Sequence, residues 1–163
     1  MNVWEFPGGQ FLPISTADGV GLDEAVVPTG AFGLLQDDPS AAAIHTTEVT
    51  FGELMRLRAY QLDGDELTLW WEALATPPIN YTVVAAVVAG GDILAQGDAP
   101  PTIPTRFFMP GDRFRTQHTL APRIAGPITA QPLLIGWYDP DTLQRLPLPT
   151  GDTLHTLLDY TTP

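Results

Sequence analysis

Proline and glycine interrupt this chain about every ten residues, the spacing of turn punctuation in a many-stranded β domain. There are 17 prolines and 15 glycines in 163 residues. Between them no stretch keeps a helical period. Leu22 to Leu35 comes nearest and is broken by Pro28 and Gly30, a residue without an amide donor and one without a side chain. The segments that remain are short and apolar-alternating, which leaves β-strands as the available element.

The clearest of them is Glu66 to Ala73. Leu67, Leu69, Trp71 and Ala73 fall on one face, and Glu66, Thr68, Trp70 and Glu72 on the other. This is the period-two signature of a half-buried strand. Asp63-Gly64-Asp65 precedes it and Pro77-Pro78 lies just beyond it, so both ends are punctuated. Met55 to Leu62 is expected to pair with it through the Asp-Gly turn. In that strand Met55, Leu57, Ala59 and Gln61 share one face, against Arg56, Arg58, Tyr60 and Leu62.

Further strands are expected at Glu48 to Gly52, Asn80 to Ala89, Ile93 to Gln96, Arg113 to Leu120, Leu133 to Tyr138, Arg145 to Leu148 and Thr153 to Tyr160. Asn80 to Ala89 is apolar on both faces, as a central strand with a covered outer face would be. In Arg113 to Leu120, Phe114, Thr116, His118 and Leu120 form the inward set. Eight or so short strands suit an all-β, antiparallel two-sheet sandwich of immunoglobulin-like or jelly-roll type. Residues 45–163 are assigned to that domain. Residues 1–44 have scattered glycines and short apolar pieces. They read as an irregular N-terminal arm with one or two short strands, packed on the sandwich with Trp70 at or near the contact.

Charge narrows the range of functions. The net charge is −12, the seven basic residues are all arginine, and none precedes Arg56. Such a surface repels phosphate backbones and anionic membranes, so no nucleic-acid partner is expected. With no cysteine, disulfides, thiolate metal sites and cysteine nucleophiles are excluded. The longest strongly apolar run, Val83 to Ala89, is far too short to span a membrane.

Candidate catalytic groups do not converge. Ser15 and Ser40 are the two serines, and neither sits in a nucleophile elbow. His45, His118 and His155 lack metal-ligand spacing. His118 reads as a partly buried strand residue with one hydrogen bond. Glu66 and Glu72 share a strand face, but six residues at about 3.3 Å each hold them roughly 20 Å apart. Glycosidase carboxylates need roughly 5–9.5 Å. Asp63, Asp65 and Glu66, like Asp139 and Asp141, are explained by turn chemistry. No catalytic, cofactor or metal site is therefore expected, and the chain reads as a non-enzyme. The candidate ligand or partner surface is Trp70 with Glu72, an indole among carboxylates and hydroxyls on the polar side of its strand, an arrangement that can stack a sugar ring.

Leu67-Thr68-Leu69-Trp70-Trp71-Glu72-Ala73-Leu74, Asn80-Tyr81-Thr82-Val83, Asp98, Pro100, Pro104-Thr105, Pro110-Gly111-Asp112, Gly136-Trp137-Tyr138-Asp139-Pro140 and Arg145-Leu146-Pro147 together form a pattern. It resembles the C-terminal, extracytoplasmic β-sandwich domain of bacterial polytopic membrane glycosyltransferases of the mannosyltransferase-like type. The resemblance covers about residues 48 to 148. It departs from that family at His118 and Gln131, where an aromatic is usual, and near Thr116, where an acidic residue is usual. It implies an accessory module outside the membrane, with no catalytic residues to carry over. The expected function is a non-catalytic interaction module of a larger extracytoplasmic, membrane-anchored or secreted protein. Its partners would be other domains of the parent or another protein. The alternative is a carbohydrate-binding module using Trp70.

Overall fold

The computed structural model describes residues 12–15, 21–25, 38–39 and 45–162. The chain divides into two compact units, Met1–Gly33 and Leu34–Pro163. In the first, β1 (Leu12–Ser15) and β2 (Gly21–Ala25) pair antiparallel. The expected packing of residues 1–44 on the sandwich falls, apart from Asp38 and Pro39, outside the described residues of the second unit.

The second unit is an antiparallel two-sheet β-sandwich. One sheet has the order β3-β4-β5-β8, made of His45–Phe51, Met55–Asp63, Glu66–Ala73 and Arg113–Thr119. The other has the order β11-β10-β6-β7-β9. Its strands are His155–Tyr160, Gln131–Tyr138, Thr82–Ala89, Asp92–Gln96 and Ala121–Pro122. The inward faces meet in a core that includes Phe51, Leu57, Leu69, Trp71, Val83 and Trp137. The Trp71 ring, from one sheet, meets the Trp137 ring, from the other, edge to face at 4.9 Å.

The strand ending at Thr119 changes sheets. Leu120 donates its N–H to the Asp65 carbonyl at 2.8 Å, and the next two residues pair as β9 with β7 of the opposite sheet. This corner joins the sheets along one side, a usual device in sandwiches whose strands switch layers. Gly97 makes it possible. A Cβ there would lie 2.5 Å from the Thr119 carbonyl oxygen. The second apolar face of β6 is covered partly from within the same unit. Gly136, paired with Val84, leaves room for Leu154, whose Cδ2 would lie 2.9 Å from a Cβ at position 136.

Three expectations need correction. The alternation of β4 does not run unbroken, because Arg58 is an extra residue between the pairs Leu57–Trp71 and Ala59–Trp70. A bulge of one residue reverses the phase of the strand beyond it. Tyr60 and Leu62 therefore pack against the core, whereas Ala59, paired with Trp70, is outside that core cluster. Arg145 to Leu148 is not a strand but a single bridge, Arg145 to Tyr138. Pro147 and Pro149 withhold the donors a ladder would need. Ala121–Pro122, outside every expected strand, forms the short β9. The last strand, expected over Thr153 to Tyr160, is His155–Tyr160 and pairs with β10 at the sheet edge.

The corner yields a measurable expectation. Gly97→Ala forces a methyl group against backbone that cannot rotate away. Overpacking of this kind costs about 1–3 kcal/mol, and urea unfolding monitored by tryptophan fluorescence should show a lower midpoint of that order.

Candidate functional site

Trp70 and Glu72, the two residues singled out from the sequence, lie on the outward side of the four-stranded sheet. Glu72 pairs across β5 with Arg56 of β4 and Arg113 of β8, and Trp70 pairs with Ala59 and Arg115. Both Ala59 and Trp70 are buried. The bulge adds Arg58 to the same surface. Four of the seven arginines are thus gathered around one tryptophan.

Four ion pairs between described residues lie here. Glu72 Oε2 is 3.5 Å from Arg56 Nη1 and 3.9 Å from Arg58 Nε. Asp38 bridges two strands: Arg58 Nη1 donates to its Oδ1 at 2.7 Å and Arg113 Nη1 to its Oδ2 at 2.9 Å. Since β5 lies between β4 and β8 in the sheet, this carboxylate reaches across the strand that carries Trp70. The hydrogen bond from Arg113, with a smaller share from Arg58, holds the Asp38 carboxyl below its usual range against the desolvation that pushes it up. By sequence Asp38 belongs to the arm and has no assigned role. Asp38, between Asp37 and Pro39, carries no sequence signal of its partners.

Trp70 is 6% exposed. A ring so covered offers no open platform for a sugar, and its polar neighbour Glu72 is engaged by arginines. Its Nε1 is buried with no hydrogen-bond partner among the described residues.

The second polar constellation is internal. Trp71 Nε1 donates to Thr116 Oγ1 at 3.0 Å. Thr116 Oγ1 lies 2.8 Å from His118 Nε2, and His118 Nδ1 lies 2.7 Å from the Gly97 carbonyl. A carbonyl can only accept, so Nδ1 carries the proton and Nε2 accepts from the Thr116 hydroxyl. Every donor in the series points the same way. His118, 2% exposed, therefore makes two hydrogen bonds rather than the one expected, and it ties β8 to the end of β7. Burial pushes its imidazole below the ordinary value, against the Gly97 hydrogen bond and the Asp98 charge, which raise it.

Other candidates resolve into local structure. Asp139 accepts from the Asp141 N–H and the Thr142 hydroxyl, closing its own turn. Glu66 accepts from the Thr119 hydroxyl at 2.7 Å. His45 stacks on Tyr60. A groove beside β3 and β11, each at the end of its sheet among the described residues, is lined by Glu48, Thr50, Asp152 and His155, among others. Among the described residues no three His, Asp or Glu side chains are grouped to hold a metal ion. No family model, curated protein or solved structure matches the chain.

The His118 arrangement implies acid sensitivity. The folded imidazole has a lowered pKa, so the unfolded chain takes up the proton first as pH falls. Stability is then complete above about pH 6.5, the unfolded value, and declines below it by up to about 1.4 kcal/mol per pH unit until the folded pKa is reached. His155, also lowered by burial, acts in the same direction. Urea midpoints should fall as the pH is taken from about one unit above that value to about one unit below it, and His118→Phe should flatten that fall.

Proposed function

We propose that the chain is a non-catalytic interaction module, part of a larger extracytoplasmic, membrane-anchored or secreted protein, and that it engages its partner through the outer face of the four-stranded sheet. The observation that carries this reading is the gathering of Arg56, Arg58, Arg113 and Arg115 around Trp70 and Glu72 in a chain whose net charge is −12. Arginine is among the residue types that most often anchor protein interfaces, because it combines an apolar stem with directed donors. A surface built only for solubility would not concentrate a majority of its few cations in one place. The partner is another domain of the parent chain or a separate protein. The carbohydrate alternative requires an uncovered Trp70 ring, and no specific observation favours it.

A photo-crosslinking residue placed at Glu72, in cells that produce the full parent protein, should capture a defined polypeptide or an adjacent domain. The same residue at Leu143, 71% exposed in a turn, should not. Equal capture from both positions would reject the assignment of this face. Saturable quenching of tryptophan fluorescence by a soluble oligosaccharide, abolished by Trp70→Phe, would replace it with the carbohydrate reading.

A further inference from the structure

We propose that Arg58 and Arg113 form a recognition site for a carboxylate of an acidic peptide segment in the partner, and that the chain's own Asp38 occupies this site in the unbound state. The inference rests on the interaction-face reading above and adds the chemistry of what that face takes.

The geometry of the present occupant defines the ligand. One carboxylate receives one donor from each of two guanidiniums, at 2.7 and 2.9 Å, and these are charge-assisted bonds. The two arginines come from strands on either side of β5, and the bulge at Arg58 brings the nearer one into reach. Asp38 itself belongs to no strand. Its side chain is 46% exposed, and those of Arg58 and Arg113 are 32% and 34% exposed. Solvent, and hence a competing carboxylate, reaches all three. Exposed ion pairs of this kind are individually weak, so self-occupancy is reversible.

Charge complementarity selects an acidic occupant despite the chain's own acidity. Without Asp38, this surface presents Arg58 and Arg113 beside the Arg56–Glu72 pair. The indole N–H of Trp70 is buried and is not offered to a ligand. An acidic peptide offers the carboxylate that the two arginines already bind in Asp38. The chain's own Asp37-Asp38-Pro39 is the template for such a segment.

The test uses the full chain and a fluorescently labelled synthetic peptide with the sequence of residues 34–42 as the probe, with binding read by anisotropy. Asp38→Asn should bind it about tenfold more tightly than the unsubstituted chain, the scale of releasing two exposed ion pairs. Added salt should weaken binding. A peptide with asparagine in place of both aspartates should not bind, and this arm leaves the protein untouched if Arg58→Gln with Arg113→Gln fails to fold. Where that double variant folds, it should lose binding. Equal affinity of the Asp38→Asn and unsubstituted chains, or equal binding of the asparagine peptide, would overturn the proposal. So would dimerisation of the unsubstituted chain that Asp38→Asn abolishes, because the occupant would then be a second copy. Crosslinking from Glu72 in the absence of peptide binding would leave the interaction face standing and reject only the carboxylate site.

Discussion

Each sheet of this sandwich is held internally by its own ladder, but the relation between the sheets depends on one line of donors and acceptors. It runs from Trp71 in the centre of one sheet, through Thr116 and His118, to the Gly97 carbonyl at the end of β7 in the other. Apolar packing alone is non-directional and tolerates sliding. A buried chain of hydrogen bonds does not, because a shift of either sheet leaves a donor without a partner. The series ends at the corner where Gly97 approaches the backbone of Thr119, beside the point at which the chain crosses from β8 to β9. The directional contact and the covalent crossing thus reinforce one another.

The same strands that build this inner line carry the outer arginines. β8 points Phe114, Thr116 and His118 inward and Arg113 and Arg115 outward, and β5 does likewise with Trp71 and Glu72. A small movement of either strand would disturb both faces. On β4 the bulge separates the two demands. Before it, Met55 and Leu57 serve the core; after it, Tyr60 and Leu62 do. The extra residue is Arg58, which lies outside the ladder pairing and turns toward Glu72 and Asp38. Bulges commonly re-aim a side chain next to a functional surface, and here the re-aimed group is a guanidinium.

The two-sheet architecture is legible in the sequence because period-two alternation and turn residues agree along most of the second unit. Glu66 to Ala73 is a strand of those bounds, and its inward set is the one that the pattern names. Each departure from the pattern has a physical cause. A bulge preserves composition while reversing phase, so Met55 to Leu62 reads as regular. Arg145 to Leu148 has strand-like side chains, but Pro147 limits its pairing. Trp70 alternates with polar residues and is nevertheless buried, since alternation reports which face a residue is on and not what lies over that face. The Asp38 bridge joins residues far apart in sequence, and no spacing rule reaches so far.

Electrostatics explains why an acidic chain should place its arginines in this way. A net charge of −12 gives a field that repels acidic partners at a distance, and that field is screened within about 8 Å at physiological ionic strength. Recognition of a carboxylate on such a protein must therefore be short-ranged, with guanidiniums close enough together to dominate once contact is made. Arginine suits this better than lysine, because its planar fork gives directed donors and its charge is weakly hydrated. A bare group of four guanidiniums would repel itself and invite non-specific anions. Glu72 and Asp38 offset the charge of Arg56, Arg58 and Arg113, Glu72 from within the sheet and Asp38 from outside it. Of the two, Asp38 lies in no strand and meets the sheet through its carboxylate.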